Sequence, residues 1–386
     1  MKHDAIVVGG GPAGLVAARA IARKGFRVAV LERERHLGVK PCGEAVSKET
    51  LEDASVTPAG DFVAQEIKGA LVYAPNGKSV SIKGESGAGC ILNKALFLQH
   101  LASGAVEAGA DILMNRAVVD LDRRDGLVKV KTRGGELETS LVLGADGFAS
   151  TVAERFGFEK TGSRELIPCI QYLMVNCNLN DQQVTEFYLG REVAPLGYAW
   201  IFPKGGGKAN VGIGVRGSPA KPYLDRFIRG HPEIFAKARI VGIEGAPVTI
   251  GGMLERIVGD NVMLVGEAAS QVIPLTGAGI HSGIAGGRMA AQTAVEALEE
   301  EDLSRGRLMS YPRAFDEHWG KRIRDSLKAL RVMERLSDGD LNQLADLLDS
   351  KDVLDLANGF DVARVARKFL RHPLFGLRIA KALTAT

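Results

Sequence analysis

The chain has 386 residues, 46% hydrophobic and 25% charged, with a formal net charge of +3. That length suits two domains or one large elaborated one, the composition is ordinary for a globular protein, and so small a charge gives no reason to expect nucleic acid as a partner. Four cysteines, Cys42, Cys90, Cys169 and Cys177, form no CxxC pair, so neither a metal site nor a disulfide framework is expected, and a reducing cytoplasm is the natural compartment. No run reaches the roughly 18–20 apolar residues that span a bilayer, and a strand starts too soon after Met1 for a signal peptide. The expected location is cytoplasmic, with peripheral contact on the cytoplasmic face of a membrane left open.

The first predicted element is an apolar strand, Ala5 to Val8. Gly9-x-Gly11-x-x-Gly14 follows, then an Ala-rich helix to about Lys24, a stop at Gly25, and a second strand ending in Glu32. A GxGxxG run between strand and helix, with an acid about 20 residues on, is the context of a dinucleotide site. Gly9 makes the turn, Gly11 lets a pyrophosphate approach the backbone, and Gly14 lets helix and strand pack. The helix N-terminus stabilises the phosphate charge, and Glu32 accepts from the adenosine ribose.

Two later segments read the same way. Leu141 to Leu143 is a strand ending in Gly144, Asp146, Gly147 and Ser150. Val262 to Val265 is another, ending in Gly266-Glu267 and running through Pro274 and the stretch Thr276 to Ile280 into a long helix. A carboxylate at such a strand end can hold a ribityl hydroxyl, and the positive helix N-terminus near Gly277 to Ile280 can face the flavin N1–C2=O edge. The cofactor expected is therefore FAD, held tightly. Gly212-x-Gly214-x-x-Gly217 has the dinucleotide spacing too, but Pro219 and Pro222 follow. It reads as a strand leading to a turn, with no long helix starting at its last glycine.

Between these segments lies PLGYAWIFPKGGGKANVGIGV, Pro195 to Val215. On a strand, Tyr198, Trp200 and Phe202 share one face and make an aromatic wall backed by Gly197, Ala199 and Ile201. Such a wall is either core or the lining of an apolar site.

The three nucleotide segments, in this order, make residues 1–300 resemble FAD proteins of the p-hydroxybenzoate hydroxylase-like fold. This implies an α/β chain whose Rossmann-type FAD domain is discontinuous. Its first part is expected over 1–160, with some substrate-sheet strands around 60–90. An inserted antiparallel substrate sheet would occupy 161–254, the second FAD part 255–300, and helices 301–386. Within that fold the chain resembles the geranylgeranyl reductase family, whose marker P-x-x-Y-x-W-x-F-P is matched by Pro195, Tyr198, Trp200, Phe202 and Pro203. KPCGEAVS at 40–47 and the C-terminal segments at 333–350 and 361–383 extend the likeness, the latter to archaeal members acting on digeranylgeranylglycerophospholipids.

The resemblance implies FAD contacts at Gly9, Gly11, Pro12, Ala13 and Gly14, at Glu32 and Arg33, and at Cys42, Gly43 and Ala45. Further contacts are implied at Lys94, Val118, Asp146, Gly147, Glu267, Gly277, Gly279 and Ile280. Two positions depart from the pattern: Glu267 stands for an aspartate, and Lys94 for an arginine, which keeps the charge without its bidentate geometry. The marker residues 195–203 would bind a polyprenyl chain. The implied reaction passes hydride to one alkene carbon and a proton to the other. Cys42, Glu44, Tyr198 and His281 are candidate proton donors, although Cys42 reads first as a residue that tunes or gates the flavin, and His281 as a satisfied helix-face histidine. The electron donor, a ferredoxin or a reduced nicotinamide, stays open. Alternatives are an FAD aromatic monooxygenase or a non-catalytic flavin protein for electron transfer or lipid binding.

After residue 300 the pattern is helical, with Leu327, Leu330 and Met333 on one face. The end carries Arg364, Arg367, Lys368, Arg371, Arg378 and Lys381 among Phe369, Leu370, Leu374, Phe375, Leu377 and Ile379. A basic amphipathic segment of this kind either lies on an anionic membrane or packs on the body with its cations in water.

Overall fold

Runs of β-branched and small residues bury the first strands on both faces, as a parallel sheet between helices requires. In the computed structural model, which describes residues 2–83, 88–158 and 164–369 together with 376 and 378, Lys2–Val8 pairs in parallel with Gly135–Gly144 on one side and Val28–Leu31 on the other. Val262–Leu264 extends the sheet beyond Gly135–Gly144, and Asp111–Leu113 beyond Val28–Leu31. Helix Pro12–Ala22 packs on this sheet and against helix Ile280–Glu299. The two helices meet through small residues: a Cβ at Gly287 would overlap the Ala13 carbonyl, and one at Gly283 would lie 3.7 Å from Ala13 Cβ. Residues 262–299 thus complete a layer begun at residue 2.

The second sheet has seven strands, in the order Arg239–Thr249, Leu166–Val175, Ala209–Gly214, Tyr198–Pro203, Val184–Tyr188, Gly69–Tyr73 and Ser79–Lys83. Only the pairing of Val184–Tyr188 with Gly69–Tyr73 is parallel. One face buries Tyr172, Ala199, Ile201, Val211 and Ile213 under Leu224, Phe227, Ile234 and Phe235. These last come from helices Ala220–Arg229 and Pro232–Phe235. The other face carries Trp200 and Phe202, which cluster with Ile67 and Ile91 of a small third sheet formed by Ala45–Ser47, Gly89–Leu92 and Val63–Ile67.

The second GxGxxG run is a strand as far as Gly214, but a ten-residue helix does begin soon after it, at Ala220. Pro219 is its N-cap and Pro222 lies in its first turn, where a missing N–H removes no intrahelical bond. The prolines start this helix rather than prevent it.

Beyond residue 320, helices Lys321–Met333, Asp338–Leu347, Ser350–Asn358 and Val362–Lys368 enclose their own small core of Leu336, Leu341, Leu344, Val365 and Phe369. Three of the four described cations of the tail are turned onto this unit, while Arg367 is exposed and donates to the Ala363 carbonyl. Arg364 pairs with Asp352 at 2.8 Å and Asp355 at 2.6 Å, Lys368 with Asp349 at 2.7 Å and also with Asp352, and Arg378 with Asp340 at 3.2 Å. Asp352 is completely buried, so these contacts serve packing, and the cations involved face acids of the unit rather than water alone. Leu370, Arg371, Leu374, Phe375, Leu377, Ile379 and Lys381 lie outside the described residues.

The helical unit is fastened to the seven-stranded sheet by alternating charges. Arg216 and Arg331 both pair with Glu165, Arg216 reaches Glu334 at 2.7 Å, and Arg331 reaches it at 3.1 Å. Hydrogen bonding from Arg331, opposed by burial and reinforced by the charges of Arg331 and Arg216, holds the Glu165 carboxyl below its ordinary value of 4.5. A carboxyl depressed in the folded state contributes stability above its unfolded pKa and loses it as the pH falls through the folded one. The denaturation midpoint should therefore drop between pH 5 and pH 3, with a smaller acid-dependent drop in Arg331→Met. Equal pH slopes for the two proteins in urea titrations would rule out this fastening.

Candidate active site

The nucleotide crevice is built where the three glycine-rich turns converge. Gly9 has φ +109° and lies so close to Ala145 that any side chain would overlap that residue's carbonyl. Gly11 is the N-cap of helix Pro12–Ala22, and no side chain caps that helix. A Cβ at Gly11 would meet nothing within 4 Å. An uncapped helix start beneath open space is what a pyrophosphate needs, and FAD fits it. Helix Ile280–Glu299, begun by Gly279, is likewise without a side-chain cap.

Glu32 stands at the tip of its strand, its carboxylate accepting from Gly10 N–H at 2.7 Å and Glu34 N–H at 2.9 Å. A carboxylate has about four acceptor positions, so ribose hydroxyls can still bind. Val118 follows the turn in which Arg116 N–H donates to the Glu32 carbonyl, which puts it at the same end. Arg33 is exposed and pairs with Glu34 at 3.1 Å.

Gly147 and Glu267 converge, a Cβ at Gly147 falling 3.9 Å from Glu267 Oε2. Glu267 accepts from Thr249 N–H at 3.3 Å and pairs with Lys40. Asp146 is oriented otherwise: its two oxygens accept from Ser150 Oγ at 2.6 Å and Val152 N–H at 3.1 Å. Those contacts cap helix Thr151–Arg155 and spend the side chain on holding the turn. Burial raises its pKa. Lys94 begins helix Lys94–Glu107, and its ammonium donates to the Lys40 carbonyl. It supports the segment that leads to Cys42.

That segment is the junction between crevice and wall. A Cβ at Gly43 would lie 2.7 Å from the Phe202 ring and 3.8 Å from Trp200 Nε1. The wall is continuous, with ring centroids 5.9 Å apart for Tyr198 and Trp200 and 6.1 Å apart for Trp200 and Phe202. Phe187 adds a fourth ring, 5.2 Å from Phe202 and 5.7 Å from Tyr198. Opposite Trp200 in the sheet register is Gly212, where a Cβ would collide with the indole. Tyr198 donates its hydroxyl hydrogen to the Thr276 carbonyl, tying the wall to the turn that carries Gly277 and Gly279. Burial pushes its phenol pKa upward. Pro195 precedes the strand and Pro203 closes it. A shallow groove of about 70 Å³, partly open to solvent, continues past Tyr198 between Leu189, Ala194, Leu196, Leu275, Leu330 and Leu341.

Several contacts here were not anticipated. Glu44, with φ +70°, accepts from Lys94 N–H at 3.0 Å, Asn210 Nδ2 at 2.8 Å and the Lys204 ammonium. Gln171 Nε2 donates to the Cys42 carbonyl at 2.9 Å and to Glu244 at 3.1 Å. Gln171 Oε1 and Trp200 Nε1 are buried with no partner among the described residues. A polar residue amid the apolar strand IPCIQYLMV was the one visible signal for Gln171; Lys40 was visible only as the first residue of KPCGEAVS, and Phe187 carried no signal. His281 Nε2 donates to Asp53 Oδ2 at 2.9 Å and packs edge-on against Trp319, which satisfies it as a helix-face histidine. Burial lowers its pKa despite Asp53.

Residues 165–248 match the model of the geranylgeranyl reductase catalytic domain, and residues 2–199 that of an FAD binding domain. Digeranylgeranylglycerophospholipid reductase 2 of Methanopyrus kandleri is 39% identical over 99% of this chain and 100% of its own length. The chain belongs to the geranylgeranyl reductase family. The corresponding reductase of Methanocaldococcus jannaschii is 36% identical, covering 92% of this chain and 93% of its own. A geranylgeranyl bacteriochlorophyll reductase-like structure from Thermoplasma acidophilum superposes with a TM-score of 0.88 at 30% identity, covering 99% of both chains. The FAD-bound halogenase PltM, at 14% identity and TM-score 0.71, shares the fold alone. This family member is an FAD-dependent oxidoreductase.

If Gln171 holds the Cys42 segment, Gln171→Leu removes hydrogen bonds worth about 1 kcal/mol each. Alkylation of the Cys42 thiol by iodoacetamide should then accelerate roughly fivefold in the intact protein, read by mass spectrometry of the Cys42 peptide. An unchanged rate would assign the segment's rigidity elsewhere.

Proposed function

We propose that this protein reduces the carbon–carbon double bonds of geranylgeranyl chains on an archaeal-type glycerophospholipid. The observation that carries the reading is the four-ring wall abutting the Cys42–Gly43 segment at the flavin end of the site. A polyprenyl chain has no charge to recognise, so burial and shape must hold it. Each methylene taken from water contributes about 0.8 kcal/mol, and rigid rings lose little entropy in providing the surface.

Bound FAD, once reduced by an external donor, supplies hydride to one carbon of the alkene. The protein must hold that alkene, exclude water and place a proton. An isolated trisubstituted alkene takes its proton on the less substituted carbon, leaving tertiary cationic character to accept hydride, and water would capture such a centre. Tyr198, Trp200, Phe202 and Phe187 provide the dry surface. Among the candidate donors, Tyr198 gives its hydrogen to Thr276, Glu44 is an acceptor for three donors, and His281 is engaged by Asp53. Cys42 remains: its sulfur accepts from Glu44 N–H at 3.3 Å, and its S–H is not directed to any described acceptor. We assign the proton to Cys42, and the two-chain phospholipid to the face of the wall.

The test is anaerobic. The purified yellow protein is reduced with dithionite, freed of excess, and mixed with digeranylgeranylglyceryl phosphate. Flavin reoxidation with a gain of two mass units per double bond is expected. Incorporation of an oxygen atom, only when reduced nicotinamide and air are present, would instead make it a monooxygenase. Cys42→Ala should bind FAD with an intact visible spectrum yet reoxidise with substrate at least tenfold more slowly. Full turnover in that variant would remove Cys42 from the proton's path.

A further inference from the structure

A lipid substrate has to be collected, and of the described cations of the tail Arg364, Lys368 and Arg378 are already paired with acids. The structure leaves a different surface bare. Strand Arg239–Thr249 is the outer strand of the seven-stranded sheet and pairs only with Leu166–Val175 among the described residues. Near its start Ile240 is 46% exposed, Val241 59% and Ile243 60%, so among the described residues three of the eight exposed large hydrophobic ones fall within four positions. Cations flank them. Lys237 and Arg239 are exposed immediately before, and Lys208 is exposed in the hairpin at the same end of the sheet. That hairpin is placed there by Cys177 N–H donating to the Gly207 carbonyl, beside Asn178 N–H donating to the Ile234 carbonyl, both at 2.9 Å. No described carboxylate pairs with Lys208, Lys237 or Arg239; Arg239 donates only to the Ala238 carbonyl. Of the acids nearby, Glu244 is engaged with Gln171, and Glu233 lies on the adjoining short helix.

We propose that this end of the substrate sheet docks on the surface of an anionic lipid bilayer, with Ile240, Val241 and Ile243 entering the headgroup layer and Lys208, Lys237 and Arg239 meeting lipid phosphates. Aliphatic side chains bordered by cations are the two signals that together hold a protein at a membrane surface. The contact is shallow, because an open sheet edge keeps its backbone groups out of hydrocarbon. A second copy of the chain is the poorer occupant. Three side chains on four residues of strand fall far short of the roughly 800 Å² per partner that a stable dimer buries. The inference rests on the proposed lipid substrate only for its purpose, and its test does not require turnover.

Full-length protein is sedimented with phosphatidylglycerol or phosphatidylcholine vesicles that contain no polyprenyl chain. Binding to phosphatidylglycerol is expected, falling at least tenfold on phosphatidylcholine or in high salt. The triple variant Ile240→Ser, Val241→Ser, Ile243→Ser should lose that binding at least tenfold while reducing detergent-dispersed substrate at the wild-type rate. Val241→Asp alone, at a mostly exposed position, serves should the triple variant misfold. Lys237→Glu with Arg239→Glu should abolish the preference for phosphatidylglycerol. Wild-type protein that stays in the supernatant, variants that bind like wild type, or a dimer in light scattering that the strand variants dissociate would each overturn the proposal. Retained vesicle binding without alkene reduction would instead count against the proposed function and leave this surface standing.

Discussion

Glu44 is the constraint on which the site depends. It follows Cys42 and Gly43 and adopts φ +70°, a conformation that a non-glycine residue holds only when its surroundings insist on it. Its carboxylate supplies that insistence by accepting from Lys204 and Asn210 of the substrate sheet and from Lys94 N–H on the FAD side. One charged side chain, mostly removed from solvent, thereby fixes the Cys42–Gly43 turn between crevice and wall. A buried carboxylate is tolerable only when its acceptor positions are filled, and here three donors fill them. The residue is accordingly a structural keystone, its oxygens committed to donors within the protein.

The wall itself resolves a competition written into the strand. Alternation sends Ala199 and Ile201 to a face covered by helices and sends Tyr198, Trp200 and Phe202 to the other. Small residues on the covered face let helices approach closely, while the rings form a cluster separate from the main cores. Glycines facing the rings have the same cause. Gly212 opposite Trp200 and Gly43 against Phe202 leave no volume for side chains, so Trp200 and Phe202 are packed against backbone on two sides and buried with Ile67 and Ile91.

The local parts of this arrangement were legible in the sequence. Strand, glycine turn and helix at residues 5–22, the helix beginning at Ile280, and the period-two aromatics all follow from spacing and backbone sterics within a few residues. Asp146 was harder. A carboxylate after a strand, flanked by Gly144 and Gly147, reads as ligand-facing, but Ser150 and Val152 lie four and six residues on and draw it into a cap. Lys40 with Glu267, Gln171 with Cys42, and Phe187 with Phe202 depend on sheet register or on contacts across more than a hundred residues in two of the three cases. No local pattern encodes them. The tail shows the same limit: its basic character is visible, whereas the partners Asp349, Asp352 and Asp355 become relevant only once the helices fold back.

The frame is shared with flavin halogenases at 14% identity, so the frame cannot be what selects an isoprenoid. Selection has to reside in what covers the free face of the substrate sheet and in what closes its ends. Here that face is aromatic, with Gln171 Oε1 and Trp200 Nε1 as its buried unpartnered polar atoms. At one end Tyr198 opens into an aliphatic groove walled by the C-terminal helices. A polar aromatic substrate would leave most of that surface unused and would find few groups to fix its orientation. An extended hydrocarbon can occupy wall and groove together, gaining with each isoprene unit, and can slide along them without losing a specific bond. A surface that binds without register suits a reaction that must address one double bond after another on the same chain.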